Sequence, residues 1–310
     1  MKALIINQFG GPEQLHVEEV PMPVANRGEV LVKIMATSVN PIDYKIRNGS
    51  IKFISGRKFP KILGGDLAGI VQQDSKRFRT GDRVFGMLTA SGGGYAEFIA
   101  VPEEQLCLMP ASCSFEDAAA IPLAGLTALQ ALQKGKPLNS ASSVLINGAS
   151  GGVGSLAVQI AKALGATVTA VTSTANLDFV KNLGADQLID YKTSKFYNSS
   201  QKYDLVFDAV GSVSFYKAAK ILSPGGVYVT TLPNHGYLFW RMFNMFRSKK
   251  AHFIMTKAKG TDLKLIADMM GKGLVKAVID SVFPLADGAL AHHRIETHRA
   301  KGKIIIKIQD

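Results

Sequence analysis

Three glycines, at positions 148, 151 and 154, directly follow a run of β-branched and aliphatic residues, Ser143–Asn147. They open a segment in which Val153, Leu156, Ala157, Ile160, Ala161 and Leu164 fall on one helix face, and Gly165 stands where a C-cap belongs. Glycines in such a strand–turn–helix let the backbone bend sharply and approach a pyrophosphate, whose charge then rests on the helix N-terminus. Gly148, Gly151, Gly152, Val153 and Gly154 are therefore the candidate phosphate cradle. A bare glycine triplet is weak evidence; a second strand at Thr167–Thr172, after the amphipathic helix, makes it specific.

The end of that second strand bears on the cofactor. Sites for NAD usually place an acid there to hold the adenosine ribose hydroxyls. Here the chain reads Ser173, Thr174, Ala175, Asn176, and no acid follows before Asp178. Hydroxyls and an amide can donate to a 2′-phosphate that an aspartate would repel, which favours NADPH. The same residues could simply cap the next helix, and both roles are compatible.

The elements that must carry these groups have three textures. The first third reads as short strands and turns, with Ala3–Ile6, Glu29–Met35, Gly69–Gln72 and Tyr95–Val101 as strands and one helix around Pro41–Asn48. From Ser143 to Thr256 six strands alternate with helices such as Asn176–Leu183 and Val213–Leu222. That pattern demands right-handed crossovers and a doubly wound parallel sheet. The tail returns to a mixed texture, closing with a strand at Lys303–Ile308. The expected class is α/β, with boundaries at 1–121, 122–258 and 259–310.

Composition narrows the function classes. A chain of 310 residues, 47% hydrophobic, suits two domains with substantial cores. No apolar run approaches the ~20 residues that span a bilayer, and the N-terminus lacks a signal-peptide core. Two cysteines, Cys107 and Cys113, offer no disulfide framework and favour a reducing, cytoplasmic setting. The net charge of +12 attracts anionic cofactors, nucleic acid or acidic headgroups, or merely keeps the surface solvated. Residues 237–246 are aromatic and carry the only tryptophan, with cations following. Tyr237 and Trp240 there are candidate substrate contacts; the alternatives are a buried domain or dimer contact and a peripheral membrane patch.

Asn40–Asp43, Gly64–Gly69, Gly81–Gly86, Gly94–Glu97, Gly125–Ala128 and the glycine turn occur in an order that resembles the medium-chain dehydrogenase/reductase superfamily over nearly the whole chain. The match is to its quinone-reductase branch, near chloroplast-envelope quinone oxidoreductase homologues and 2-alkenal or furanone reductases. The resemblance implies a GroES-like β-rich catalytic domain from both chain ends, a Rossmann domain, and an active site between them. It also implies a homodimer.

Zinc-dependent members hold their metal with Cys and His. This chain has Asp66 but no His in Gly64-Gly65-Asp66, and none of its six histidines stands at ligand spacing with a cysteine. No metal is expected. Without one, a saturated aldehyde is hard to polarise, whereas a quinone or enone spreads incoming charge onto its oxygen and needs only a donor there. The resemblance places Asn40, Asp43, Tyr44 and Lys45 at the catalytic site, with Tyr44 as pocket wall or proton donor and Lys45 on the cofactor. Asp43 could instead be a helix N-terminal acid pairing with Arg47. The same match gives Thr127, Ser173, Thr174, Asn176, Tyr191, Leu232, Gly302 and Lys303 as further cofactor positions. Ala175 departs from the basic residue common in relatives. The reading that follows is an NADPH-dependent, zinc-independent quinone or enone reductase. The alternatives are a cofactor-binding protein without turnover, engaging nucleic acid or membrane although no nucleic-acid motif supports it, and a zinc alcohol dehydrogenase.

Overall fold

The computed structural model describes residues 1–89, 92–232 and 249–309. The chain divides into two compact units. One comprises Met1–Leu126, Ala258–Gly271 and Ala277–Asp310; the other comprises Thr127–Lys257 and Lys272–Lys276.

The second unit is built on a six-stranded parallel sheet. Its spatial order is Gln187–Asp190, Thr167–Thr172, Ser143–Asn147, Tyr203–Asp208, Leu222–Thr230, Lys250–Phe253. Numbered along the chain, this is the three-two-one-four-five-six order of dinucleotide-binding sheets. The central strands are near-continuous apolar runs because helices cover both faces: Val144, Leu145 and Ile146 have no exposure. The helix Gly152–Ala163 buries Leu156, Ala157, Val158, Ile160 and Ala161.

The strand order reverses between Ser143–Asn147 and Tyr203–Asp208, where ligands of such sheets bind. There the Asn147 amide donates to Asp208 at 2.9 Å and to Ser212 at 3.0 Å, tying the two strand ends together. The helix expected over Val213–Leu222 is shorter, Phe215–Ala219, because Leu222 pairs with Tyr203 and starts the next strand.

The first unit is mainly antiparallel. Its long strand Glu29–Val39 pairs with Asp66–Val71, Phe98–Pro102 and Lys303–Lys307. Val30, Val32, Ile34 and Ala36 alternate inward as a half-buried strand requires. The strand runs past the expected end at Met35 because Ala36–Val39 pair with Ile304–Lys307 from the far end of the chain. Local pattern could not reveal that partner. A smaller sheet joins His16–Glu19, Lys2–Ile6 and Lys61–Ile62.

One backbone approach decides the shape of the glycine turn. A Cβ built on Gly154 would lie 2.1 Å from the Gly148 carbonyl oxygen, so only glycine lets the helix start against the strand end. Gly154→Ala should therefore cost at least about 1–3 kcal/mol, as overpacking against rigid backbone does. Gly271→Ala, whose added methyl meets nothing within 4 Å, should be neutral or slightly stabilising. Thermal unfolding of the two variants checks the contrast.

Candidate active site

The cradle follows from how the helix Gly152–Ala163 begins. Its N-cap is Gly151, which has no side chain to cap the first turn, so the opening N–H groups are left for a ligand. Gly148 has φ of +80°, a left-handed conformation that glycine adopts without strain. A Cβ on Gly151 would make only an ordinary contact, 3.6 Å from the Gly148 carbonyl oxygen.

Beside the cradle, Ser150 collects hydrogen bonds from Thr172 at 3.0 Å and from the Asn176 amide at 3.1 Å. Asn176 Oδ1 is buried with no partner, an acceptor that a ribose hydroxyl would satisfy. Ser173 Oγ also accepts from Asn176. The Thr174 hydroxyl, however, donates to Asp190, so it is not a free donor for a phosphate. Asp190 was missed in reading along one strand; parallel pairing sets it level with Thr172 on the neighbouring strand. Its carboxyl is held below the usual range by the Thr174 hydroxyl first and by the Lys192 N–H next.

In the first unit the buried centre is Asp66, which has no exposure. Ser38 and Asn40 both donate to its Oδ2, Asn40 at 2.8 Å, and the Leu123 N–H donates to Oδ1 at 2.7 Å. Lys303 donates to Asn40 Oδ1, and its ammonium lies 3.6 Å from Asp66 Oδ2. Asn40 is thus held at both ends of its amide, oxygen to the lysine and nitrogen to the carboxylate.

Asn40 is also the N-cap of the helix Pro41–Arg47, and its backbone N–H donates to Asp43 Oδ2 at 2.7 Å. Tyr95 Oη donates to the same oxygen at 3.2 Å and lies 3.2 Å from His292 Nε2. Arg47 Nη1 is 3.1 Å from His292 Nδ1, and a guanidinium only donates. Nδ1 must then accept, the neutral imidazole carries its proton on Nε2, and His292 donates to Tyr95, which donates to Asp43. Burial, the Arg47 charge and His293 push His292 down to about 3, so it is neutral near pH 7. Burial dominates at Asp43 as well, pushing it up to about 7, with Asp66 adding to the rise while the Asn40 N–H, Lys303 and Tyr95 oppose it.

A family profile for the alcohol dehydrogenase GroES-like domain matches residues 26–111, and one for zinc-binding dehydrogenases matches residues 183–306. A chloroplast envelope quinone oxidoreductase homolog from Arabidopsis thaliana is 36% identical, covering 99% of this chain and 98% of its own. The chain belongs to the medium-chain dehydrogenase/reductase superfamily. Within the superfamily it is also 34% identical to the NADPH-dependent alkenal/one oxidoreductase of Arabidopsis thaliana, over 99% of this chain and 79% of that one. The quinone oxidoreductase structure from Coxiella burnetii superposes with a TM-score of 0.90 at 31% identity, covering 100% of this chain and 99% of that one.

The superfamily includes zinc enzymes, but the residues here do not fit a catalytic zinc. Asp66 already accepts from three donors, and the Lys303 ammonium sits beside it as the counter-charge. Among the described residues no group of three or more His, Cys, Asp and Glu could hold a metal.

The other expected residues are placed as follows. Arg47 does not pair with Asp43; it turns to His292, to Glu296 and to the Gly10 carbonyl, because these surround its buried guanidinium. Tyr44 packs edge-on against His298, and burial together with Glu296 makes its hydroxyl hold its proton more tightly than usual. Lys45 is half-buried on the same helix and makes no ion pair among the described residues. Thr127 and Thr256 share a hydrogen bond of 2.7 Å. Tyr191 is exposed, and Leu232 packs on Gly211. Gly302, with φ of +86°, turns the chain into Lys303. Tyr237 and Trp240 lie outside the described residues. Sequence reading missed Tyr95 as the partner of Asp43 and His292 as the link from Tyr95 to Arg47, although Tyr95 stood in a quoted motif.

Asp43 supplies a test by linkage. Its carboxyl rises from 3.8 unfolded to about 7 in the fold, so the folded chain binds more protons between those values. Its contribution to stability is full below the lower value and is lost as pH rises through about 7. Urea unfolding at pH ~5 and ~8 should show Asp43→Asn gaining on the wild type at the higher pH. A difference independent of pH would refute the burial argument.

Proposed function

We propose that the chain is an NADPH-dependent reductase, acting without zinc on quinones or on the carbon–carbon double bond of α,β-unsaturated carbonyls. The observation that carries this reading is the buried Asn40–Lys303–Asp66 cluster, in which a lysine cation, rather than a set of metal ligands, stands beside the carboxylate. A fixed amide and a cation suit charge developing on a conjugated oxygen. The names of the relatives point the same way, to quinones and to alkenals or enones.

Bound NADPH would supply the hydride. The N–H groups opening the helix Gly152–Ala163 would take its pyrophosphate, and Asn176 Oδ1 a ribose hydroxyl. Ser173 is the remaining hydroxyl for a 2′-phosphate, since Thr174 is engaged by Asp190. Asn40 would orient the substrate carbonyl.

The first assay is NADPH and NADH oxidation against quinones, short and long enones, and saturated aldehydes, with and without EDTA. Turnover with conjugate acceptors, unaffected by EDTA and absent with saturated aldehydes, is expected; turnover confined to aldehydes and abolished by EDTA would replace this reading with a zinc dehydrogenase. Replacing Asp190 by Ala removes the acceptor of the Thr174 hydroxyl and should shift the preference toward NADPH by roughly threefold, a modest effect because the site is exposed to screening solvent. Comparing the dissociation constants of both cofactors tests it.

A further inference from the structure

Hydride addition to an enone or quinone leaves a negative oxygen that must acquire a proton, and the groups near Asn40 differ sharply in their ability to give one. Tyr44 and Tyr95 both hold their protons more tightly than a free phenol, chiefly through burial. The Ser38 hydroxyl is committed to Asp66, and Asp43, although pushed up to about 7, is the buried end of the Tyr95–His292–Arg47 chain with its Oδ2 taken by Tyr95 and the Asn40 N–H. His292 carries its one proton on the nitrogen facing Tyr95. Lys303 is different. Its ammonium has three N–H groups; one goes to Asn40 Oδ1, and Asp66 at 3.6 Å lies beyond hydrogen-bond length. At least one N–H is uncommitted among the described residues.

We propose that Lys303 is the proton donor of the reaction, protonating the oxygen that gains charge when hydride adds to the conjugate acceptor, with Asn40 and Asp66 as its positioning residues. The assignment rests on the reductase reading above. In the enone case, the carbon receiving the hydride forms its new C–H bond while the double-bond pair shifts and the carbonyl π pair moves onto oxygen. A Lys303 Nζ–H bond breaks as the O–H bond forms, leaving a neutral amine that recovers a proton from water. The enol then isomerises to the saturated ketone. For a quinone the same transfer gives the hydroquinone.

Three features of the fold support this donor. Burial pulls the Lys303 ammonium below its ordinary value, with Asp66 and Asp43 opposing, so it is a stronger acid than a surface lysine. Its backbone is fixed: a Cβ on Gly302 would lie 2.2 Å from the Val278 carbonyl oxygen, and Lys303 N donates to that oxygen at 2.7 Å. The charged and titratable groups around it are Asp66 on its strand and Asp43 on its helix, with Tyr95, His292 and Arg47 linked behind Asp43. Ionisation of Asp43 therefore adds a second negative charge that binds the Lys303 proton more firmly, and kcat should fall as pH rises above neutrality.

Lys303→Arg is the first variant, because a guanidinium keeps the positive charge and does not release a proton in the working range. With 3-buten-2-one and 1,4-benzoquinone as probes, kcat should drop about 10²–10⁴-fold with KM little changed. Undiminished kcat would overturn the assignment. A second readout needs no turnover: 4-nitrophenol, added with NADP⁺ at a pH where the free probe is mainly phenol, should bind wild type as its visible-absorbing phenolate. Binding as the neutral phenol would overturn the assignment even if the Arg variant failed to fold. Absence of any wild-type turnover with quinones or enones would instead sink the reductase reading itself.

Discussion

A carboxylate cut off from water is costly unless donors reach both of its oxygens, and the first unit is arranged around that requirement at Asp66. Ser38 comes from the end of one strand, Asn40 from the loop after it, Leu123 from the first turn of a helix and Lys303 from the last strand. Removing one member of a buried ion pair typically costs about 3–5 kcal/mol. Three separate stretches of chain, at 38–40, 123 and 303, are therefore held to one point by a single side chain. Asn40 inherits its orientation from this arrangement, since its amide has a donor on one side and an acceptor on the other.

A second chain of bonds backs the first and has a fixed direction. It begins with Arg47, which can only donate, and ends on Asp43, whose Oδ2 accepts from both Tyr95 and the Asn40 backbone. The intervening His292 has one tautomer available. Interactions of this kind fix geometry as well as energy, because reversing any one bond would set two donors face to face. Asp43 and Asn40 thus bridge two buried networks with different roles, one organised around an anion and the other around a guanidinium.

The sequence was most legible where the signal was local. Strand, glycine turn and amphipathic helix announced the cradle, and strand–helix alternation announced the parallel sheet. Local pattern failed where the partner was distant. Asp43 and Arg47 stand four apart on one helix, which suggested a pair, yet Arg47 bonds to His292, 245 residues along the chain. Asp190 escaped notice because the acid was sought on the strand where dinucleotide sites usually carry it, while sheet register brought it from the neighbour. Motif resemblance pointed to Asn40 and Lys303 separately; nothing in either motif said that they touch.

The hydrogen bond between Lys303 and Asn40 joins residues 263 positions apart. On a ribosome, Ser38, Asn40 and Asp66 emerge early, and their counter-charge arrives only with the final strand. Until then a carboxylate destined for a dry interior has no cation to meet, so the early segment has reason to stay open to water. Vectorial synthesis lets the parallel sheet of the second unit, whose strands are all present by Phe253, form while the first unit is still incomplete. The arrival of Lys303 then supplies the counter-charge of Asp66 and completes the Asn40 site in one step.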